Sequence, residues 1–235
     1  MSIYGDEMMR RLRLLLWKLP AGPEPPIECG NAIADVLTGA VNPEGRLPVS
    51  FPARLEDAPA HGNFPGTRGG DDGVLRVEYA EGVFVGDRHN DRVDAEVLSF
   101  PFAHGLSYTT FEYADFRVVR RGDATAADEF EIFVNVSNTG KVVGRTAVQI
   151  YAGKAERTGD APIKALVAFD KVRLHPGERQ TVRLRALGKD LASFGDDAGR
   201  LWVVEAGEYT FYLDESTATT IQTVLVSLER TTYQR

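Results

Sequence analysis

His104 stands three residues before Ser107 in the stretch SFPFAHGLSYTTFEY, residues 99–113. An imidazole beside a hydroxyl is the pairing that nucleophilic catalysis uses, the histidine taking the serine proton as the oxygen attacks. A hydrolase serine, however, sits on a strained elbow of the form G-x-S-x-G between strand and helix. HGLSY lacks the second glycine and no helical pattern follows it, so the hydroxyls here read as partners of backbone groups near a strand start. The acidic pairs Glu56-Asp57, Asp71-Asp72 and Asp196-Asp197 offer the two carboxylates that glycoside hydrolysis needs. Adjacent carboxylates in polar turns are more ordinarily solvated caps. His61, His89, His104 and His175 fall in expected loops or turns, without the paired spacing of a metal site, and neither a P-loop nor a dinucleotide fingerprint occurs. No cofactor is implied.

Three further motifs carry less. Cys29 is the single cysteine, which excludes an internal disulfide and a multi-cysteine zinc site, and it reads as a thiol near a helix start. Arg121-Gly122-Asp123 spells an adhesion tripeptide that chance explains as well. Asn135-Val136-Ser137 is a formal glycosylation acceptor, usable only in a secreted chain.

These residues must be held by a fold, and 235 residues with 43% hydrophobic content can fill a real core. Against 34 acidic residues stand 27 basic ones, a net charge of -7 that argues against nucleic acid as the main partner. The opening segment places Arg10, Arg11 and Arg13 before the apolar run Leu14 to Trp17, which is shorter than the roughly 7 to 15 residues of a secretory signal core and far short of a membrane span. It reads as a short amphipathic helix stopped by the prolines between Pro20 and Pro26. The compartment stays undetermined.

From residue 28 a helix is expected, capped by Asn31, carrying Ile33, Val36 and Leu37 on one face and ending at Gly39. NPEG, residues 42–45, has turn chemistry and should lead into a short strand from Leu47 to Phe51. Residues 53–98 are loop-rich, with a strand-like run VLRVEYAEGVFVG. Beyond them the pattern is all-β. Phe130, Ile132, Val134 and Val136 alternate with Glu131, Phe133, Asn135 and Ser137, the period of a strand buried on one face. Further strands are expected at 146–151, 165–174, 180–185, 201–204, 209–213 and 221–228, with turns at NTG (138–140), HPGE (175–178) and EAGE (205–208). Seven or so short strands with regular turn signals describe an immunoglobulin or fibronectin type β-sandwich.

Taken together, ECGNAIADVLTGAVNPEGRLPVSFPARLEDAPAHGNFPG, YAEGVFVGDRHND, FPFAHGLSYTTFEY, VSNTGKVVGRTAVQIY and ALVAFDKVRLHPGERQTVRL stand in the order seen in the C-terminal part of glycoside hydrolase family 3. The chain resembles that family, most of all its fungal β-glucosidases, over about residues 28–230. The resemblance implies a mainly β fold: a fibronectin type III-like sandwich preceded by a remnant of the family's α/β sandwich domain. It divides the chain into an unmatched segment 1–27, the remnant with its long connecting loop at 28–98, an interdomain joint at 99–113 and the sandwich at 114–235. It also implies a missing (β/α)8 barrel that carries the nucleophilic aspartate, and an acid/base glutamate upstream of residue 28. Glu28 matches a glutamate of the helix-start motif rather than that acid/base residue, so no catalytic or substrate-binding residue transfers to this chain. Asp87 and Asn90 replace two aromatics of the family pattern, and Ala103 replaces a glycine.

On this reading the chain is the C-terminal piece of a retaining β-glucosidase, inactive alone, meeting β-glucosides or cello-oligosaccharides only in a full-length context, with the missing barrel and α/β domains as partners. The alternative is a free-standing β-sandwich interaction or carbohydrate-binding module, for which Phe133 and Tyr151 are the outward aromatic candidates.

Overall fold

The computed structural model describes residues 29–68, 73–93, 97–121, 129–156, 161–195 and 201–233. Helix α1 (Cys29–Thr38) opens the described chain, and the short strands β1 (Phe51–Pro52), β2 (Thr67–Arg68) and β3 (Leu75–Arg76) precede the one-turn helix α2 (Asp87–Asn90). Strand β4 (Leu98–Phe100) leads into the joint. Ten strands follow: β5 (Phe111–Arg121), β6 (Glu129–Asn138), β7 (Gly144–Lys154), β8 (Ala165–Leu174), β9 (Arg179–Leu187), β10 (Ser193–Gly195), β11 (Leu201–Val204), β12 (Gly207–Ser216), β13 (Thr219–Leu228) and β14 (Thr231–Tyr233).

Two antiparallel sheets, β5-β6-β9 and β13-β12-β7-β8, face each other as a three-on-four, fibronectin type III-like sandwich. Strict alternation in β6 places Phe130, Ile132, Val134 and Val136 inside, against Val148, Ile150, Leu174, Phe211 and Leu213 from the opposite sheet. The Phe130 and Phe211 rings meet at 5.1 Å between centroids. Each of these side chains contributes about 1.5–3 kcal/mol by leaving water, so this layer is what holds the two sheets together. The HPGE turn carries the chain from β8 in one sheet to β9 in the other, with Glu178 N donating to His175 O (2.9 Å).

Asn138, at the NTG turn, is buried and fully used. Its Nδ2 donates to Val142 O (2.8 Å) and Leu174 O (3.0 Å), while its Oδ1 accepts from Thr109 Oγ1 (2.6 Å) and Gly140 N (3.0 Å). The strand ends around Asn138 and Ser216 therefore meet the joint, and the opposite ends, at Glu129, Leu187 and Gly207, form the distal pole. There a third sheet, β10-β11-β14, closes the sandwich.

Several expectations are corrected. Asn31 lies inside α1 rather than at its cap, although the helix does leave through Gly39 at φ 80°, with Val41 N reaching back to Asp35 O (3.0 Å). NPEG forms no turn, because the Asn42 side chain is engaged by distant partners. The strand expected at 47–51 shrinks to β1, which pairs with β4. Leu47 instead bonds the joint, donating to His104 O (2.9 Å) and accepting from Ala103 N (2.9 Å). Of the apolar run at 74–86 only β3 is a strand, since β2 is the one partner it finds among the described residues. The first sandwich strand starts at Phe111, and 201–204 joins the small third sheet rather than the sandwich. The segment 1–27 lies outside the described residues.

Candidate functional site

His104 and Ser107 are both occupied by the joint. The His104 ring packs on Phe100 at 5.3 Å, and its backbone N–H donates to Pro101 O (3.1 Å). Ser107 Oγ donates to Asn42 Oδ1 (3.2 Å) and accepts from Thr109 N (3.2 Å), so its lone pairs and proton serve the backbone turn. Asn42 also accepts from Tyr108 N (2.8 Å) and donates to Val143 O (3.0 Å). Of the acidic pairs, Asp57 caps a 3-10 turn and takes three hydrogen bonds from Arg54, which hold its carboxyl below the usual range. Asp71, Asp72, Asp196 and Asp197 lie outside the described residues, as do Glu28, Gly122 and Asp123. His61, His89 and His175 are not brought together, and no group of three metal-ligating side chains occurs among the described residues.

Asn135 sits on the outer face of β6, where its Nδ2 donates to Asp115 and its Oδ1 accepts from Thr181 Oγ1 (2.5 Å). On the same face Phe133 is bracketed by two guanidinium groups, Arg117 at 4.5 Å and Arg183 at 5.8 Å from the ring centroid. Tyr151, expected to point outward, is only 4% exposed. Tyr151 keeps the outward parity of β7, lying between the core residues Ile150 and Ala152 and opposite Tyr212 of β12, but that face is covered there.

That covered ring belongs to a buried polar cluster. Lys164 is buried, with Nζ 2.6 Å from Asp214 Oδ2 and donating to Thr217 O (2.9 Å). The Tyr151 and Tyr212 rings flank the ammonium at 5.1 and 5.6 Å. Burial raises the Asp214 carboxyl above its ordinary value, against the pull of Lys164, and it holds the Tyr151 phenol protonated. From the other side the cluster is met by Asp91, whose carboxyl burial pushes up to about 6. Asp87, one turn earlier, accepts from Ser50 Oγ (2.6 Å). Ser50 Oγ in turn accepts from Phe102 N (2.8 Å), and Phe102 O accepts from Thr217 N (3.2 Å). A chain of polar contacts thus ties α2 to the joint, the β12–β13 turn and Lys164. With its ions paired internally, the cluster is a fastening rather than an open reaction centre. Nothing in the local sequence pointed to it, because Lys164 and Asp214 are fifty positions apart.

At the distal pole the small sheet sets Phe194, Trp202 and Tyr233 side by side in register across β10, β11 and β14. Phe194 is 53% exposed and Trp202 42%, and their rings meet edge to face at 5.7 Å. Cross-strand register alone creates this row, which is why reading single strands missed it. Two grooves are apolar-walled. One of 540 Å³ lies between the end of α1, Tyr108 and Val142–Val143, and one of 390 Å³ lies between β8 and β9 beside Phe169 and Arg183.

Residues 24–108 match the glycosyl hydrolase family 3 C-terminal domain, and residues 146–217 match the fibronectin type III-like domain. The chain is 46% identical over 212 residues to beta-glucosidase B of Emericella nidulans, an alignment covering 88% of this chain and 24% of that protein. Against the probable beta-glucosidase I of Aspergillus oryzae it is 42% identical, covering 77% and 21%. Among solved structures, the Kluyveromyces marxianus beta-glucosidase in complex with glucose superposes with TM-score 0.74 at 38% identity, covering 87% of this chain and 23% of the other. Beta-glucosidase 3B of Thermotoga neapolitana, in complex with alpha-D-glucose, gives 0.77 at 37%, covering 88% and 28%. The chain therefore spans about a quarter of the length of the relatives it matches.

Proposed function

Since the chain belongs to glycosyl hydrolase family 3 through its C-terminal and fibronectin type III-like domains, we propose that it forms the C-terminal portion of a retaining β-glucosidase that releases terminal β-D-glucosyl residues from cello-oligosaccharides and aryl glucosides. Retaining hydrolysis needs one carboxylate to attack the anomeric carbon and a second to protonate the leaving oxygen and later activate water. In this reading both come from the barrel and the α/β domain of the parent enzyme, and no residue of this chain is catalytic. Its role is to complete and brace those domains. The single observation that carries this is the ordered match of both domains over nearly the whole chain at 46% identity. It is supported by the apolar side chains that residues 53–93 leave in water, with Leu55, Phe64 and Tyr79 each more than 70% exposed, the kind of surface a neighbouring domain covers.

The test is turnover of a chromogenic aryl β-glucoside. The 235-residue chain alone should not exceed a buffer blank, and mixed with the barrel-containing portion of a relative truncated before the matched region it should restore hydrolysis. Turnover by the chain alone would refute its inactivity, and a folded mixture that binds without hydrolysing would refute the bracing role.

A second reading, a carbohydrate-binding module, is favoured by the exposed Phe194–Trp202 pair, which lies at the pole away from the joint. Titration with cellohexaose, read by tryptophan fluorescence, separates the two. Saturable quenching that Phe194→Ala abolishes supports the module, and an unchanged spectrum excludes it.

A further inference from the structure

We propose that β13 is a self-association edge, which pairs antiparallel with β13 of a second copy of this chain and joins two four-stranded sheets into one. The proposal rests on the sandwich alone and is independent of the β-glucosidase reading. β13 is the outer strand of its sheet, hydrogen-bonded to β12 on one side. The facing sheet touches it through Phe116 N, which donates to Gln222 Oε1 (3.3 Å). A strand in that position presents a row of backbone N–H and C=O groups that another strand can pair.

Natural edges are guarded by charge or by a bulge. The other three edges of the two facing sheets follow that rule. β8 carries Asp170, Lys171 and Arg173, β9 carries three arginines, and β5 has five charged residues and a register break between Ala114 and Arg117. β13 reads TTIQTVLVSL, without charge, proline or glycine, and pairs with β12 in unbroken register from Gln222 to Leu228. Its apolar residues are only partly covered. Val224 and Val226 pack on the core opposite Phe211 and Tyr209, yet stay half-buried where those two are at most 5% exposed. Leu225, on the outer face, is 59% exposed.

The strand is also complementary to itself. A closed two-fold dimer uses the same patch on both copies, and antiparallel pairing provides that. Outer residues must stay opposite outer ones, so the axis crosses the strand at a residue rather than between two. Leu225 is the midpoint of the regular stretch Gln222 to Leu228. An axis there sets Leu225 against Leu225, Val224 against Val226 and Thr223 against Ser227, so that apolar meets apolar and hydroxyl meets hydroxyl. Moved one residue to Val224, the axis opposes Leu225 to Thr223 and Val226 to Gln222, and the match is lost. At about one backbone bond per paired residue, the regular stretch supplies about seven, within the range of an ordinary interface.

Sedimentation equilibrium of the full chain tests this. A single paired edge is small for an interface, so a reversible monomer–dimer equilibrium is expected with Kd on the order of 10 μM. Leu225→Lys, at an exposed position that leaves the core alone, sets two ammonium groups face to face at the axis and should weaken association at least about a hundredfold. Phe169→Lys, at an exposed position on β8, should leave it unchanged. In a Cys29→Ser background, Leu225→Cys should be cross-linked to dimer by a short bismaleimide, and Phe169→Cys should not. A chain that stays monomeric well above that concentration, a dimer that Leu225→Lys leaves intact or that Phe169→Lys also dissolves, or a missing Leu225→Cys cross-link would each overturn the proposal. So would a dimer that dissociates when the barrel-containing portion of a relative is added, because the edge would then belong to the parent enzyme.

Discussion

Replacing Lys164 by methionine removes a charge while keeping most of the stem that packs between Tyr151 and Tyr212. The consequence falls on Asp214, whose side chain is 0% exposed and which loses the ammonium 2.6 Å away. Breaking one partner of a buried pair costs about 3–5 kcal/mol, because the remaining charge is stranded without solvent. Spread over a chain of this size, that lowers the unfolding midpoint by about 10 °C. The cost is also pH-dependent. Burial already raises the Asp214 carboxyl, and without Lys164 it rises further, so the stranded group takes up a proton in the folded state. Its penalty is absent below the unfolded carboxyl value near 4, grows as pH climbs toward the folded value, and is largest above it. Urea unfolding followed by far-ultraviolet circular dichroism at pH 7.5 and 4.5 should show the gap between Lys164→Met and the parent narrowing in acid. The double variant Lys164→Met/Asp214→Leu removes both charges and should return to within about 1 kcal/mol of the parent. A single variant within 1 kcal/mol of the parent at pH 7.5, or a double variant as unstable as the single, would refute the account.

Phe211→Ala empties the centre of the sandwich opposite Phe130 and should cost about 3–5 kcal/mol in urea unfolding. Asn138→Ala strands the buried groups its amide serves, among them Leu174 O and Thr109 Oγ1, and should cost about 3 kcal/mol by the same measurement. Gly153→Ala would drive a Cβ into the Ile163 carbonyl on the neighbouring segment, a rigid obstacle. It should destabilise by about 1–3 kcal/mol in thermal unfolding.

Legibility followed the range of the interactions. In β6 the alternation of Phe130 to Ser137 reports directly which face meets the core, since one sheet covers it and water covers the other. Gly39 and HPGE were readable because their turns close within a few residues. NPEG misled because Asn42 serves Val143, Ser107 and Tyr108, partners 65 to 101 positions away, which outweighs local turn chemistry. The run at 74–86 has strand-forming residues but, among the described residues, finds only the two-residue partner β2, and Val74, Val77, Val83 and Val85 stay exposed. Tyr151 does lie on the outer face of β7, and its burial was missed because the cover comes from Lys164 and its neighbours, which are distant from it in the strand pattern. The Lys164 cluster and the Phe194–Trp202 row exist only once β7, β12 and the small third sheet are assembled, and no window of sequence contains them.

The stretch from Asn42 to Leu47 also has a mechanical consequence. It lies against the sandwich with Asn42 bound to the β6–β7 connection, Arg46 to Thr146 and Leu47 to the joint backbone. A tension applied through α1 would therefore load these bonds together in shear, rather than bending a free linker. The helix and the sandwich turn as one lever, and a torque on either is felt at the other.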